Sequence, residues 1–78
     1  MRKKLREKLK TMEHLKWYEK IGYLRRLQRI TKKEMMTLCC TYMANYIKWE
    51  KGRVYPRKYN QRLIAKALNV RVSDIFVK

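Results

Sequence analysis

Apolar residues recur at helical spacing along most of this chain. Trp17, Ile21, Leu24 and Leu27 stand at steps of four and three, which puts them on one stripe of a helix running from about His14 to Gln28. Arg25, Arg26 and Arg29 gather toward its far end, where positive charge complements the helix dipole, and Gly22 inside it weakens helix propensity. Next, Thr31-Lys32-Lys33-Glu34 fits a capping box: the threonine hydroxyl can accept the N–H of Glu34 while the glutamate reaches back to the N–H of Thr31. A second helix therefore starts here, with Met35, Met36, Leu38 and Cys39 apolar, and runs about two turns before "CCT" at 39–41 interrupts it. A third occupies about 42–51 with Tyr46 and Trp49 facing inward, and Gly52 is placed to end it in the left-handed conformation.

After Gly52, "RVYPRKYN" reads as a basic loop in which Pro56 blocks backward extension of the next helix. "YNQRLIAKALN" predicts that fourth helix, with Tyr59, Leu63, Ile64, Ala67 and Leu68 apolar and Asn69 just past its end. "SDIF" predicts a short last helix capped by Ser73. Residues 1–13, "MRKKLREKLKTME", carry Leu5, Leu9 and Met12 at helical spacing among Lys and Arg. Such a segment is marginal alone and is read as a basic arm, ordered only if those three side chains find a surface. Strand alternation, internal repeats and low-complexity runs are absent from the sequence. The expected fold is all-α: a five-helix domain over 14–78 preceded by a basic N-terminal arm or helix over 1–13.

Composition narrows the function. Seventy-eight residues, 46% of them hydrophobic, make one domain with a small core. The 22 Lys and Arg against 6 Asp and Glu give a formal charge of +16, a surplus that repels itself and favours a polyanionic partner. Nucleic acid comes first. An anionic membrane surface competes only through residues 1–13, whose apolar stripe is narrow. Cys39 and Cys40 are adjacent and are read as free thiols in a reducing compartment. With no apolar run near the roughly 20 residues of a membrane span and no signal-peptide core, the expectation is a soluble, cytoplasmic protein with no membrane partner. His14 is the single histidine, and there is no cysteine–histidine metal spacing, glycine-rich phosphate loop or paired acidic motif. No enzyme activity, metal or cofactor is expected.

The motifs have a recognisable order: "LRR" at 24–26, "ITKKEM" at 30–35, "IKWEKG" at 47–52, Pro56, and "IAKALNVRVSDIF" at 64–76. On these residues, Trp17 to Phe76 resembles the phage-repressor (Cro-like, XRE-type) helix-turn-helix family. The resemblance implies a compact five-helix bundle of the lambda-repressor-like type, in which the third helix enters the DNA major groove. It also implies that Cys39 packs as a small apolar residue, and that Cys40 occupies a position usually held by glycine, at about 1 kcal/mol of backbone strain. A redox switch at these thiols is the alternative, but a buried thiol has no evident activator. Arg25 and Glu50 match a family ion pair that is largely buried. Lys58 and Gln61 stand at usually apolar positions, with Tyr59 and Leu63 offering apolar surface nearby, so the rotation of the fourth helix and a family-style homodimer contact stay open.

Carried onto this chain, the resemblance implies base contacts from Met43, Ala44, Asn45 and Lys48. Asparagine can pair with adenine, lysine can reach guanine, and Met or Ala can touch a thymine methyl. Lys32, Lys33, Tyr42, Lys51, Arg53, Arg57 and Lys58 are the expected phosphate contacts. The implied function is a sequence-specific double-stranded DNA-binding transcriptional regulator, repressor-like, from a bacterium, phage or mobile element. At this size the chain is expected to carry no ligand-sensing domain. The competing function is an interaction protein that uses the same basic scaffold to bind RNA or a nucleoprotein, for example as a nuclease inhibitor.

Overall fold

Lys16, Thr31 and Arg71 each stand three residues before an acid, and at each of them a helix begins. The Lys16 N–H donates to Glu19 Oε1 at 3.0 Å, the Thr31 N–H to Glu34 Oε1 at 2.9 Å, and the Arg71 N–H to Asp74 Oδ2 at 2.8 Å. Only Thr31 completes the reciprocal bond, its Oγ1 accepting the N–H of Glu34 at 3.0 Å. A computed structural model describes residues 7 and 9–76, and all regular structure among them is helical. The helices are α1, described at 7 and 9–11, then α2 (Trp17–Leu27), α3 (Lys32–Leu38), α4 (Met43–Glu50), α5 (Lys58–Ala67) and α6 (Val72–Ile75). Two starts differ from the sequence-based expectation. Helix α2 begins at Trp17 rather than His14 because Glu19 fixes its first turn. Ser73 lies inside α6 and does not cap it, because Asp74 already holds the N–H of Arg71.

Four helices end in the same way. The residue two past the last helical position has positive φ in each case: Arg29 at 57°, Cys40 at 51°, Gly52 at 75° and Asn69 at 60°. The next N–H then reaches back to a carbonyl five residues earlier: Ile30 to Arg25, Thr41 to Met36, Arg53 to Lys48 and Val70 to Ala65, at 2.9–3.0 Å. These are Schellman turns, which satisfy carbonyls that the helix end would otherwise leave unpaired. Only one of the four uses glycine, and an L-residue with a side chain is strained there. Cys40 is exposed, so its side chain contributes no core contact to offset the strain. Cys40→Gly is expected to stabilise the fold by about 0.5–1 kcal/mol, read as a raised urea midpoint with an unchanged m-value.

The core gathers Met12, Ile21, Leu24, Met35, Cys39, Tyr46, Trp49, Ile64, Leu68, Ile75 and Phe76. Helix α3 packs on α4 and α5, α2 on α4 and α6, and α5 on α6. Met12, which the sequence assigned to the arm, is only 1% exposed, and Leu9 packs partly buried against the same cluster. Leu5 lies outside the described residues. Leu27 and Leu38, expected inward, are exposed at 40% and 52%. In α3 the buried line runs from Met35 to Cys39, one helical turn on, and rotates Leu38 to solvent. At the end of α2, Gln28 turns toward α5 instead: its Nε2 donates to Leu68 O at 2.7 Å, and its Oε1 accepts from Asn69 Nδ2 at 3.0 Å.

The rotation of α5 is settled by Gln61. Its amide is buried and satisfied, Nε2 donating to Pro56 O at 2.9 Å, so a polar residue fills a core-facing position without stranding a donor. Leu63 is partly buried against the core, while Tyr59 points to solvent. Trp17 meets Tyr18 and Tyr55 edge to face and Phe76 at a tilt, with centroids 5.1–5.9 Å apart. Among the described residues, no helix is long and apolar enough to cross a membrane.

Candidate nucleic-acid interface

Helix α3, the turn at 39–42 and helix α4 form one unit because both sides of the turn are anchored inside. Met35 and Cys39 bury the inner line of α3, and Tyr46 and Trp49 bury that of α4, their rings meeting edge to face at 6.3 Å. Burial, then the neighbouring Cys40, pushes the Cys39 thiol up to about 11, so it stays protonated and unreactive at neutral pH. With the inner faces fixed, the i, i+4 pair Ala44 and Lys48 forms the solvent ridge of α4, and Tyr42, its N-cap residue, is 83% exposed. Met43 and Asn45 are half-buried at the edges of that ridge. Asn45 Nδ2 already donates to Thr41 Oγ1 at 2.8 Å, a bond that the sequence pattern does not reveal. Lys48 is therefore the strongest hydrogen-bonding group among the four expected base contacts.

The expected phosphate contacts all lie at helix ends. Lys32 and Lys33 are exposed in the first turn of α3, Lys51 and Arg53 follow the end of α4, and Arg57 and Lys58 open α5. From Thr31 to Ser73 the sequence holds only two acids, Glu34 and Glu50. Both are engaged internally. The Thr31 cap bonds hold the Glu34 carboxyl below the usual carboxylate range. Between Thr31 and Ser73, then, no carboxylate is left without an internal partner to compete with a polyanion for the cations.

Glu50 carries the unit on α2. Arg25 Nε and Nη2 donate to its two oxygens at 3.1 and 3.2 Å, and Arg25 Nη1 donates to Ile30 O at 3.0 Å. Both side chains are only 12% exposed. Burial acts to raise the Glu50 pKa, but hydrogen bonding from Arg25, the adjacent Tyr46 hydroxyl and the charges of Arg25 and Lys32 outweigh it and hold the carboxyl below its usual range. The Tyr46 hydroxyl is buried beside this pair; burial first, then the neighbouring Glu50 carboxylate, pushes its pKa far up and keeps it neutral. Gly22 lets α2 approach closely, since a Cβ there would lie 3.0 Å from Arg26 Nη1 and 3.3 Å from Glu50 Oε1. The pair is thus a fixed strut between α2 and the end of α4.

The outer face of α5 was not singled out from the sequence. Tyr59, Arg62 and Lys66 are all exposed, on the side opposite Gln61, Ile64, Ala65 and Leu68. Their spacing of three and four is readable in the sequence, but the apolar residues dominate the pattern of that helix. Among the described residues no group of three or more His, Cys, Asp or Glu could hold a metal ion. Comparison with protein-family models, curated proteins and solved structures finds no match for this chain.

Proposed function

We propose that this chain is a sequence-specific double-stranded DNA-binding regulator with a lambda-repressor-like helix-turn-helix, α4 serving as its recognition helix. One observation carries the reading: Ala44 and Lys48 form an exposed ridge on a helix held from behind by Tyr46, Trp49 and the Arg25–Glu50 pair, with unpaired cations at both ends of the unit. A rigid convex ridge flanked by cations suits the major groove, where an α-helix fits and phosphates run along both rims. Lys48 reads a base edge, Met43 and Ala44 meet thymine methyls, and Lys32, Lys33, Lys51, Arg53, Arg57 and Lys58 set the register on the backbone. With about six phosphates neutralised, log affinity falls against log salt with a slope of roughly −5.

Point substitutions separate reading from anchoring. Lys48→Ala is expected to cost about 1–3 kcal/mol on the preferred site and to relax preference at one base position. Lys32→Ala should weaken all duplexes alike and lower the salt slope by about 1. Fluorescence anisotropy on a panel of single-base variants distinguishes the two, and equal effects on every duplex from both substitutions would remove Lys48 from base readout. A second reading, binding of RNA or a nucleoprotein, is favoured by the Asn45–Thr41 bond, which leaves few hydrogen-bonding groups for base edges.

A further inference from the structure

Helix α5 carries a cationic stripe that no part of the fold uses. Lys58, Arg62 and Lys66 recur at i, i+4 and i+8 with Tyr59 beside them, all exposed, and α5 contains no acidic residue. Like charges four apart destabilise a helix rather than support it. Among the described residues, none of these three cations makes a hydrogen bond or an ion pair. The buried line of α5, which includes Gln61, Ile64, Ala65 and Leu68, packs against α3 and α6, so the stripe faces away from both of those helices. Arg62 and Lys66 lie about 6 and 12 Å along the helix from Lys58. Lys58 is already among the cations proposed to hold a duplex on α4, whereas Arg62 and Lys66, further along the helix, are not.

We infer that the outer face of α5, formed by Tyr59, Arg62 and Lys66, is a second polyanion-binding surface that takes the phosphate backbone of a second duplex segment. One chain would then hold two duplexes together. The argument is charge complementarity: a row of cations one helical turn apart matches phosphates spaced several ångströms along a strand, and Tyr59, 68% exposed, offers a ring to pack on the sugar backbone. Such contacts carry no sequence information, so this face would add bridging without changing the preferred site. The inference rests on duplex binding by the α3–α4 unit.

The test joins two measurements on the full chain. Anisotropy with limiting duplex reads binding at α3–α4; capture of a labelled duplex by a bead-tethered duplex, at increasing protein, reads bridging. The double variant Arg62→Glu/Lys66→Glu is expected to lose bridging about tenfold or more at 100 mM salt, while single-duplex affinity changes less than about threefold. The milder Arg62→Gln/Lys66→Gln, with thermal melting to confirm folding, should lower the salt slope of bridging by about 2. Wild-type protein that binds a duplex but never bridges overturns the inference and leaves the regulator reading standing. Bridging that survives both variants overturns it as well. Wild-type protein that binds no duplex in either assay overturns the regulator reading and this inference with it.

Discussion

Gly52→Ala is expected to destabilise the protein by about 3 kcal/mol, although it adds a single methyl group. Two costs add at one position. Gly52 sits at φ 75°, where a Cβ meets the following carbonyl. That Cβ would also lie 2.5–2.7 Å from three ring carbons of Tyr18, and the ring is held edge-on to Trp17. The turn cannot move to relieve this, because the Gly52 and Arg53 N–H groups close the end of α4. A 78-residue domain has only roughly 4–12 kcal/mol to lose, so the variant should unfold at much lower urea. In a Tyr18→Ala background the steric part disappears, and Gly52→Ala should then cost only about 1 kcal/mol of backbone strain. Equal costs in both backgrounds would show that the ring plays no part.

Breaking the strut between α2 and α4 comes next. Glu50→Gln or Arg25→Met should each cost about 3 kcal/mol, because the remaining group loses a partner in a site only 12% exposed. Replacing both with apolar residues should cost clearly less than the sum, since no charge is then stranded. Acid provides the same test without mutation. The folded-state pKa of Glu50 is held below the unfolded value, so its stabilisation is fully present above the unfolded pKa, near 4.3, and disappears as pH falls through the lower folded value. Glu34 contributes in the same direction. The wild-type urea midpoint should therefore fall steeply below about pH 4, and the Glu50→Gln variant should show a shallower acid limb. Parallel limbs in the two proteins would contradict the assignment.

How far the chain declares its own fold depends on how local each signal is. The Thr31–Glu34 cap, the inward Tyr46 and Trp49, and the left-handed ends at Gly52 and Asn69 are all legible because each depends on residues within one or two turns. Leu27 and Leu38 mislead because periodicity assigns an apolar residue to a face without knowing where the neighbouring helix stops. Gln61 is ambiguous because a polar residue stands at a core-facing position, and only the bond from its amide to the Pro56 carbonyl, just before the start of α5, lets it be buried there. Arg29 at positive φ is invisible, since arginine gives no hint of a left-handed turn and only the Arg25–Ile30 closure requires one. At the interface the exposed lysines are easy to name, whereas the Thr41 bond to Asn45 needs the geometry of the turn. Met12 shows the same limit from the other direction. A segment that reads as an arm by charge reaches the core through Met12, with Leu9 packed beside it.

The most direct test of the proposed function is selection from a random duplex-DNA library at about 150 mM salt, where non-specific phosphate binding is weakened. Recognition by α4 predicts one enriched motif whose information is lost at one position with Lys48→Ala and only weakened uniformly with Lys32→Ala. A palindrome with half-sites about one helical turn apart would add a dimeric mode of binding. Retention of DNA with no enriched motif, unchanged by Lys48→Ala, would contradict sequence-specific recognition by α4.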